Sequence, residues 1–128
     1  MGKAAVVITR PLAQAVPLAE RLSAQAIDAR VFPLLDIQPL PDTAPLELVL
    51  ARLSDYAMVA FVSPNAIDAA FAHLTRWPKG VIAAVVGEGS RQALARHGVT
   101  EATAQVVSPA DSRRTDSETL LELSLIHI

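Results

Sequence analysis

Apolar residues fall along this chain in short unbroken runs separated by stretches with helical spacing. Ala4-Ala5-Val6-Val7-Ile8-Thr9 runs without alternation into Arg10-Pro11, the pattern of a strand buried on both faces and so of a parallel sheet. Leu18, Leu22 and Ala26 then recur at helical spacing with Glu20 and Arg21 off that face, which predicts a helix over about Pro17 to Ala26 with Pro17 in its first turn. Extended character returns from Ala29 to Ile37, but Pro33 cannot donate to a ladder, so this strand belongs at an edge or in a linker. Pro33, Pro39, Pro41 and Pro45 form the strongest composition shift in the chain and mark a connection between lobes. Pro45 opens a helix whose apolar face is Leu46, Val49, Leu50 and Leu53.

The second half of the pattern is tighter. Tyr56 to Val62 reads as a strand that runs directly into Ser63-Pro64-Asn65-Ala66, where Ser63 suits an N-cap and Pro64 the first helical residue. That helix carries Ile67, Phe71 and Leu74 and stops before Trp77-Pro78-Lys79-Gly80, with Trp77 as a loop anchor. Val81 to Val86 is a further buried strand, followed by Gly87-Glu88-Gly89-Ser90 and a short helix through Ala93 and Leu94 that stops at Gly98. Gln105-Val106-Val107 reads as a short strand, and Thr115-Asp116-Ser117-Glu118 as a capping box before Leu120, Leu121 and Leu123. Strands alternating with helices predict an α/β fold built on a parallel, doubly wound sheet of the flavodoxin-like or Rossmann-like kind.

Composition narrows the function classes. Hydrophobic residues make up 52% of the 128 positions and charged ones 19%, far from a disordered chain. Aromatics at 4% leave Ala, Val, Leu and Ile to fill the core. Eleven Lys and Arg against thirteen Asp and Glu give a net charge of -2, without the basic footprint of a nucleic-acid binder. With no cysteine, disulfides, thiol nucleophiles and Cys-ligated metal are excluded, and a reducing, cytoplasmic setting is expected. No apolar run approaches the roughly 20 residues that cross a bilayer, so no membrane association is expected.

In open α/β sheets ligands bind outside the carboxyl ends of the strands, where helix N-termini point free N–H groups outward. Here those ends are Thr9-Arg10-Pro11, Ser63-Pro64-Asn65 and Gly87-Glu88-Gly89-Ser90. A guanidinium, hydroxyls, an amide and glycine-exposed backbone suit carboxylates or phosphates. Capping alone also accounts for Ser63 and Asn65, and turn chemistry for Gly87 and Gly89, which lack the third glycine of a dinucleotide fingerprint. Arg10 is the better functional candidate, with a solvated surface arginine as its alternative reading. His73, His97 and His127 have no partners at metal-ligand spacing, and His97 beside Gly98 suits a helix C-terminus. Glu47, Glu88, Asp36 and Asp116 form no evident acid–base couple, and Tyr56 at a strand start is expected to pack and hydrogen-bond.

The ordered set Val7-Ile8-Thr9-Arg10-Pro11, Phe32-Pro33-Leu34-Leu35-Asp36-Ile37-Gln38-Pro39, Tyr56 to Ala66 with Phe61-Val62-Ser63-Pro64-Asn65-Ala66, and Ala84-Val85-Val86-Gly87-Glu88-Gly89-Ser90 resembles the uroporphyrinogen-III synthases. Asp116-Ser117-Glu118-Thr119-Leu120-Leu121 is similar to the family's Asp-Ser-Glu stretch. The resemblance implies two α/β lobes joined by extended connectors. Residues 1–32 would then be the first strand and helix of lobe one, 33–45 the proline-rich interlobe connector, 46–122 most of lobe two, and 123–128 a tail outside the match and of doubtful nativeness. It further implies a lyase that cyclises hydroxymethylbilane to uroporphyrinogen III, inverting the last ring and losing water without a cofactor or metal, in tetrapyrrole and heme biosynthesis.

The same resemblance places Arg10 on the first-lobe wall and Ser63, Pro64, Asn65, Gly87 and Ser90 on the second-lobe wall around a linear tetrapyrrole polycarboxylate. It implies a monomer at full length. Ser90 stands where the family more often has Thr, and Ala26 at a usual glycine position. The catalytic residues are unknown from this sequence, because the resemblance puts the family's assisting tyrosine in a second half that the front-half match does not include. A fragment inactive alone is therefore expected. The rival expectation is a non-enzymatic flavodoxin-like module that binds an anion or a nucleotide through Gly87 to Ser90.

Overall fold

The computed structural model describes residues 4–109, 118 and 120–122. The expected capping box at 115–117 and the tail 123–128 lie outside the described residues. The chain divides into two compact units, Met1–Pro39 and Leu40–Ile128, each with its own parallel sheet. The α/β class read from the pattern is therefore present, but the strands do not join one sheet.

The first unit is a strand–helix–strand crossover. Strand β1 (Val6–Ile8) pairs in parallel with β2 (Ala29–Val31) through helix α1 (Leu12–Ser23), in the register Val6↔Ala29 and Ile8↔Val31. Beyond the ladder, Phe32 N–H donates to Ile8 O at 2.8 Å and Leu34 N–H to Thr9 O at 3.1 Å. Pro33 falls between these two donors, where its missing N–H leaves no acceptor unpaired. The strand expected to reach Ile37 thus ends at Val31. Helix α1 starts at Leu12, because the Pro11 carbonyl accepts from the N–H groups of Gln14 and Ala15, both at 2.9 Å. Pro17, expected in the first turn, sits inside the helix on its exposed side. A two-stranded sheet with one helix cannot cover both faces. Ile8 and Ala15 are buried while Val7 is 58% exposed, so the burial on both faces expected of this run is met only at Ile8.

Helix α1 ends in a left-handed turn at a residue that resists it. Ile27 N–H donates to Leu22 O at 3.1 Å and Ala26 N–H to Ser23 O at 3.0 Å, the paired bonds of a Schellman ending, with Ala26 at φ 59. Helix α4 (Glu88–Arg96) ends identically, Val99 N–H on Leu94 O at 2.9 Å and Gly98 N–H on Ala95 O at 3.0 Å, but with Gly98 at φ 81. The Cβ of Ala26 crowds the following carbonyl, a cost of about 1 kcal/mol that glycine lacks. Ala26→Gly is expected to slow hydrogen exchange of the α1 amides about fivefold; unchanged or faster exchange would contradict the argument.

The second unit carries a three-stranded parallel sheet in the order β3 (Met58–Phe61), β4 (Ile82–Val85), β5 (Val106–Val107). Helix α2 (Ala44–Ala51) and a 3-10 turn (Leu53–Asp55) precede β3, and helix α3 (Pro64–Phe71) joins β3 to β4. Helix α4 joins β4 to β5, and residues 118 and 120–122 are helical. On one face of the sheet Phe61, Ala83 and Val85 pack with Ile67 of α3 and Ala93, Leu94 and Val99 of α4 and its end. On the other, Ala84 and Val107 pack with Leu120, beside Met58 and Ile82. Central β4 is consequently buried on both faces, as its unbroken apolar run requires.

The expected apolar face of α2 is only partly used. Leu53 is buried in the 3-10 turn, Leu46 and Leu50 are half-buried, and Val49 is exposed with Leu48. Leu46, Leu48, Val49 and Leu50 surround the helix, so one packed side leaves the others in water. Trp77 anchors its loop as expected: its Nε1–H donates to Val81 O at 2.8 Å, and its ring stacks on Phe71 at 6.1 Å. Phe71 stacks in turn on His97 at 4.6 Å, and His97 Nε2 lies 2.8 Å from Asp68 Oδ1. These contacts tie the end of α4 to α3.

Candidate functional site

The carboxyl ends of β3, β4 and β5 gather the chemistry of the second unit. After β3 the backbone at Ser63 is extended, φ -157 and ψ 155, and its Oγ accepts from Ala66 N–H at 3.1 Å. Pro64 opens α3, where its missing N–H would have had no helical partner. The Ser63 hydroxyl uses a lone pair for this cap, and its proton can still donate to an anion. Asn65 is half-buried and engaged in an interaction of its own.

After β4, Gly87 caps α4 with φ -119 and ψ 166, so glycine is not needed there for a left-handed backbone. A Cβ built on it would meet nothing within 4 Å; a Cβ on Gly89 would lie 3.8 Å from Pro64 Cγ. The first turns of α3 and α4 therefore abut, and Gly87 leaves backbone open beside them. Ser90, whose hydroxyl lies in the first turn of α4, is 5% exposed. Because helical Cα–Cβ bonds tilt toward the N-terminus, that hydroxyl is directed back at the β4 exit.

Arg91 and Ser108 complete this edge, and sequence reasoning missed both. Ser108 follows β5 directly, and its Oγ accepts from the Arg91 guanidinium, which also donates to the Glu101 carboxylate and lies 3.9 Å from Glu88. A signal was present: Val107-Ser108-Pro109 repeats Val62-Ser63-Pro64 at a strand exit.

Arg10 belongs to the first unit. It follows β1, is exposed, and has no ion-pair partner among the described residues. The first turn of α1 beside it carries no acidic residue and no capping side chain. The structure thus brings Ser63, Pro64, Gly87 and Ser90 to one edge, with Asn65 in the first turn of α3.

Other candidates fall away from these exits. Tyr56, expected to pack and hydrogen-bond, is 50% exposed at the amino end of β3, where it lines an open depression with Leu48, Val49, Arg52 and Asp55. The short 3-10 turn leading into β3 holds the tyrosine backbone, Tyr56 N–H on Leu53 O at 3.1 Å, and leaves its ring outside the core. His73 Nδ1 lies 3.5 Å from Glu47, and His97 caps α4. Among the described residues no group of His, Asp and Glu could hold a metal, and no helix is long and apolar enough to cross a membrane. His127 and Asp116 lie outside the described residues.

Neutral hydroxyl and backbone donors, with one cation shared between two carboxylates, can bind and orient an anionic ligand. They offer no proton-transfer pair. In comparison with known proteins, the family profile described as uroporphyrinogen-III synthase HemD matches residues 16–126. No curated protein matches the chain.

Proposed function

The chain belongs to the uroporphyrinogen-III synthase family, and on that premise we propose that the strand exits of its second unit form a wall of the site for a linear tetrapyrrole polycarboxylate, hydroxymethylbilane. The family match carries the reading, and the anion-suited donor set at Ser63, Gly87 and Ser90 supports it. Acetate and propionate arms on each pyrrole would accept from the Ser63 and Ser90 hydroxyls and the backbone beside Gly87, with Pro64 and Asn65 shaping the rim.

The reaction closes the ring at an inverted last pyrrole through a spiro arrangement and releases water, so holding the substrate folded is the largest task a protein can take on. In this chain Ser63, Gly87 and Ser90 would do that work. Tyr56 stands at the opposite end of β3 from them and takes no part in loss of the substrate hydroxyl. The chain alone is therefore a binding wall with little or no activity of its own. Incubation with freshly generated hydroxymethylbilane is expected to yield the spontaneous type I product, with type III no higher than in a protein-free control. Robust type III formation, resolved chromatographically, would overturn inactivity of the chain alone.

A further inference from the structure

Among the described residues at the strand exits of the second unit, Arg91 is the one cation, and it is already occupied. Its backbone N–H donates to Gly87 O at 3.1 Å, one turn into α4. Its guanidinium reaches across to Ser108, the first residue past β5, and to Glu101 in the turn after α4. The Ser108 contact fixes the planar head at the carboxyl edge of the sheet, on the same helix as Ser90 and next to the β4 exit. The Arg91 side chain is 35% exposed and those of Glu101 and Glu88 are 58% and 70% exposed. Both carboxylates thus lie within reach of water and could be solvated without the arginine.

Resting on the substrate reading above, we propose that Arg91 binds a carboxylate arm of the tetrapyrrole and that Glu101 is its internal competitor, holding the guanidinium until a ligand carboxylate replaces it. Exchange of one exposed carboxylate for another at the same fork conserves the hydrogen bonds of the arginine, so little is lost in opening the pair. Ser108 stays bonded through the exchange and keeps the fork aimed along the sheet edge.

The sign of one substitution separates competition from mere bracing. Uroporphyrin, a stable cyclic tetrapyrrole bearing an acetate and a propionate on every ring, serves as the probe in fluorescence titrations of the chain. Arg91→Gln is expected to weaken its binding about tenfold, and Glu101→Gln to tighten it about threefold by removing the competitor. In the doubly substituted chain the Glu101→Gln gain should vanish, since there is no guanidinium left to free. A brace between α4 and the β5 exit predicts the opposite sign for Glu101→Gln, so unchanged or weaker binding by that variant overturns the proposal while the substrate reading stands. Absence of saturable uroporphyrin binding to the unsubstituted chain overturns the substrate reading and this inference with it.

Discussion

Leu94→Ala is expected to lower the unfolding free energy of the second unit by about 3 kcal/mol, the loss of its buried methyl groups plus the cavity they leave. Among the described residues, Leu94, Ile67 and Val85 are the largest fully buried side chains. Their neighbours Ala70, Ala83 and Ala93 are too small to swing into the vacated space. The rings at this cluster, Phe61, Phe71 and Trp77, are held against one another at 5.9 and 6.1 Å. Trp77 packs against this cluster, so urea unfolding followed by its fluorescence reads the change. A loss under about 1 kcal/mol would show that the core collapses around the deletion and that its packing is less specific than the burial implies.

Substitution at Ser63 separates capping from ligand contact. Ser63→Ala removes the acceptor for Ala66 N–H and should cost about 1 kcal/mol of stability. Ser63→Asp keeps an N-cap acceptor and places a negative charge at the positive end of α3, so stability should stay within about 0.5 kcal/mol of the original. If the strand exits receive a polycarboxylate, the same aspartate repels it, and uroporphyrin binding should fall about tenfold or more in a well-folded protein. Retained binding in Ser63→Asp would reduce Ser63 to a cap and move the site elsewhere. The two variants rank in opposite order for stability and for binding, which an unfolding artefact cannot produce.

Much of this was legible residue by residue. Ser63 followed by Pro64 announces a capped helix because both act through bonds within one turn, and the structure has that cap at 3.1 Å. Gly98 announces a helix end for the same local reason, and its φ of 81 agrees. Helix α1 begins before the expected Pro17 because the Pro11 carbonyl accepts its first N–H groups, while Pro17 suits a first turn on local grounds alone. Arg91 was passed over because its partners, Glu101 and Ser108, come from beyond the end of its own helix, and sequence spacing carries no distance between them.

Local chemistry therefore settled the helix ends at Ser63 and Gly98 and the α/β class, since an unbroken run such as Val81 to Val86 suits a strand covered on both faces. It could not settle which strands share a sheet. Thr9 and Val62 each end an apolar run, yet β1 pairs with β2 in one sheet and β3 with β4 in another. The choice depends on register and burial between residues distant in sequence, and on how much surface each small sheet can cover. The same is true of the candidate site: hydroxyls and glycines could be named from the chain, but their meeting at one edge, with a guanidinium across them, exists only once α3 and α4 have packed side by side.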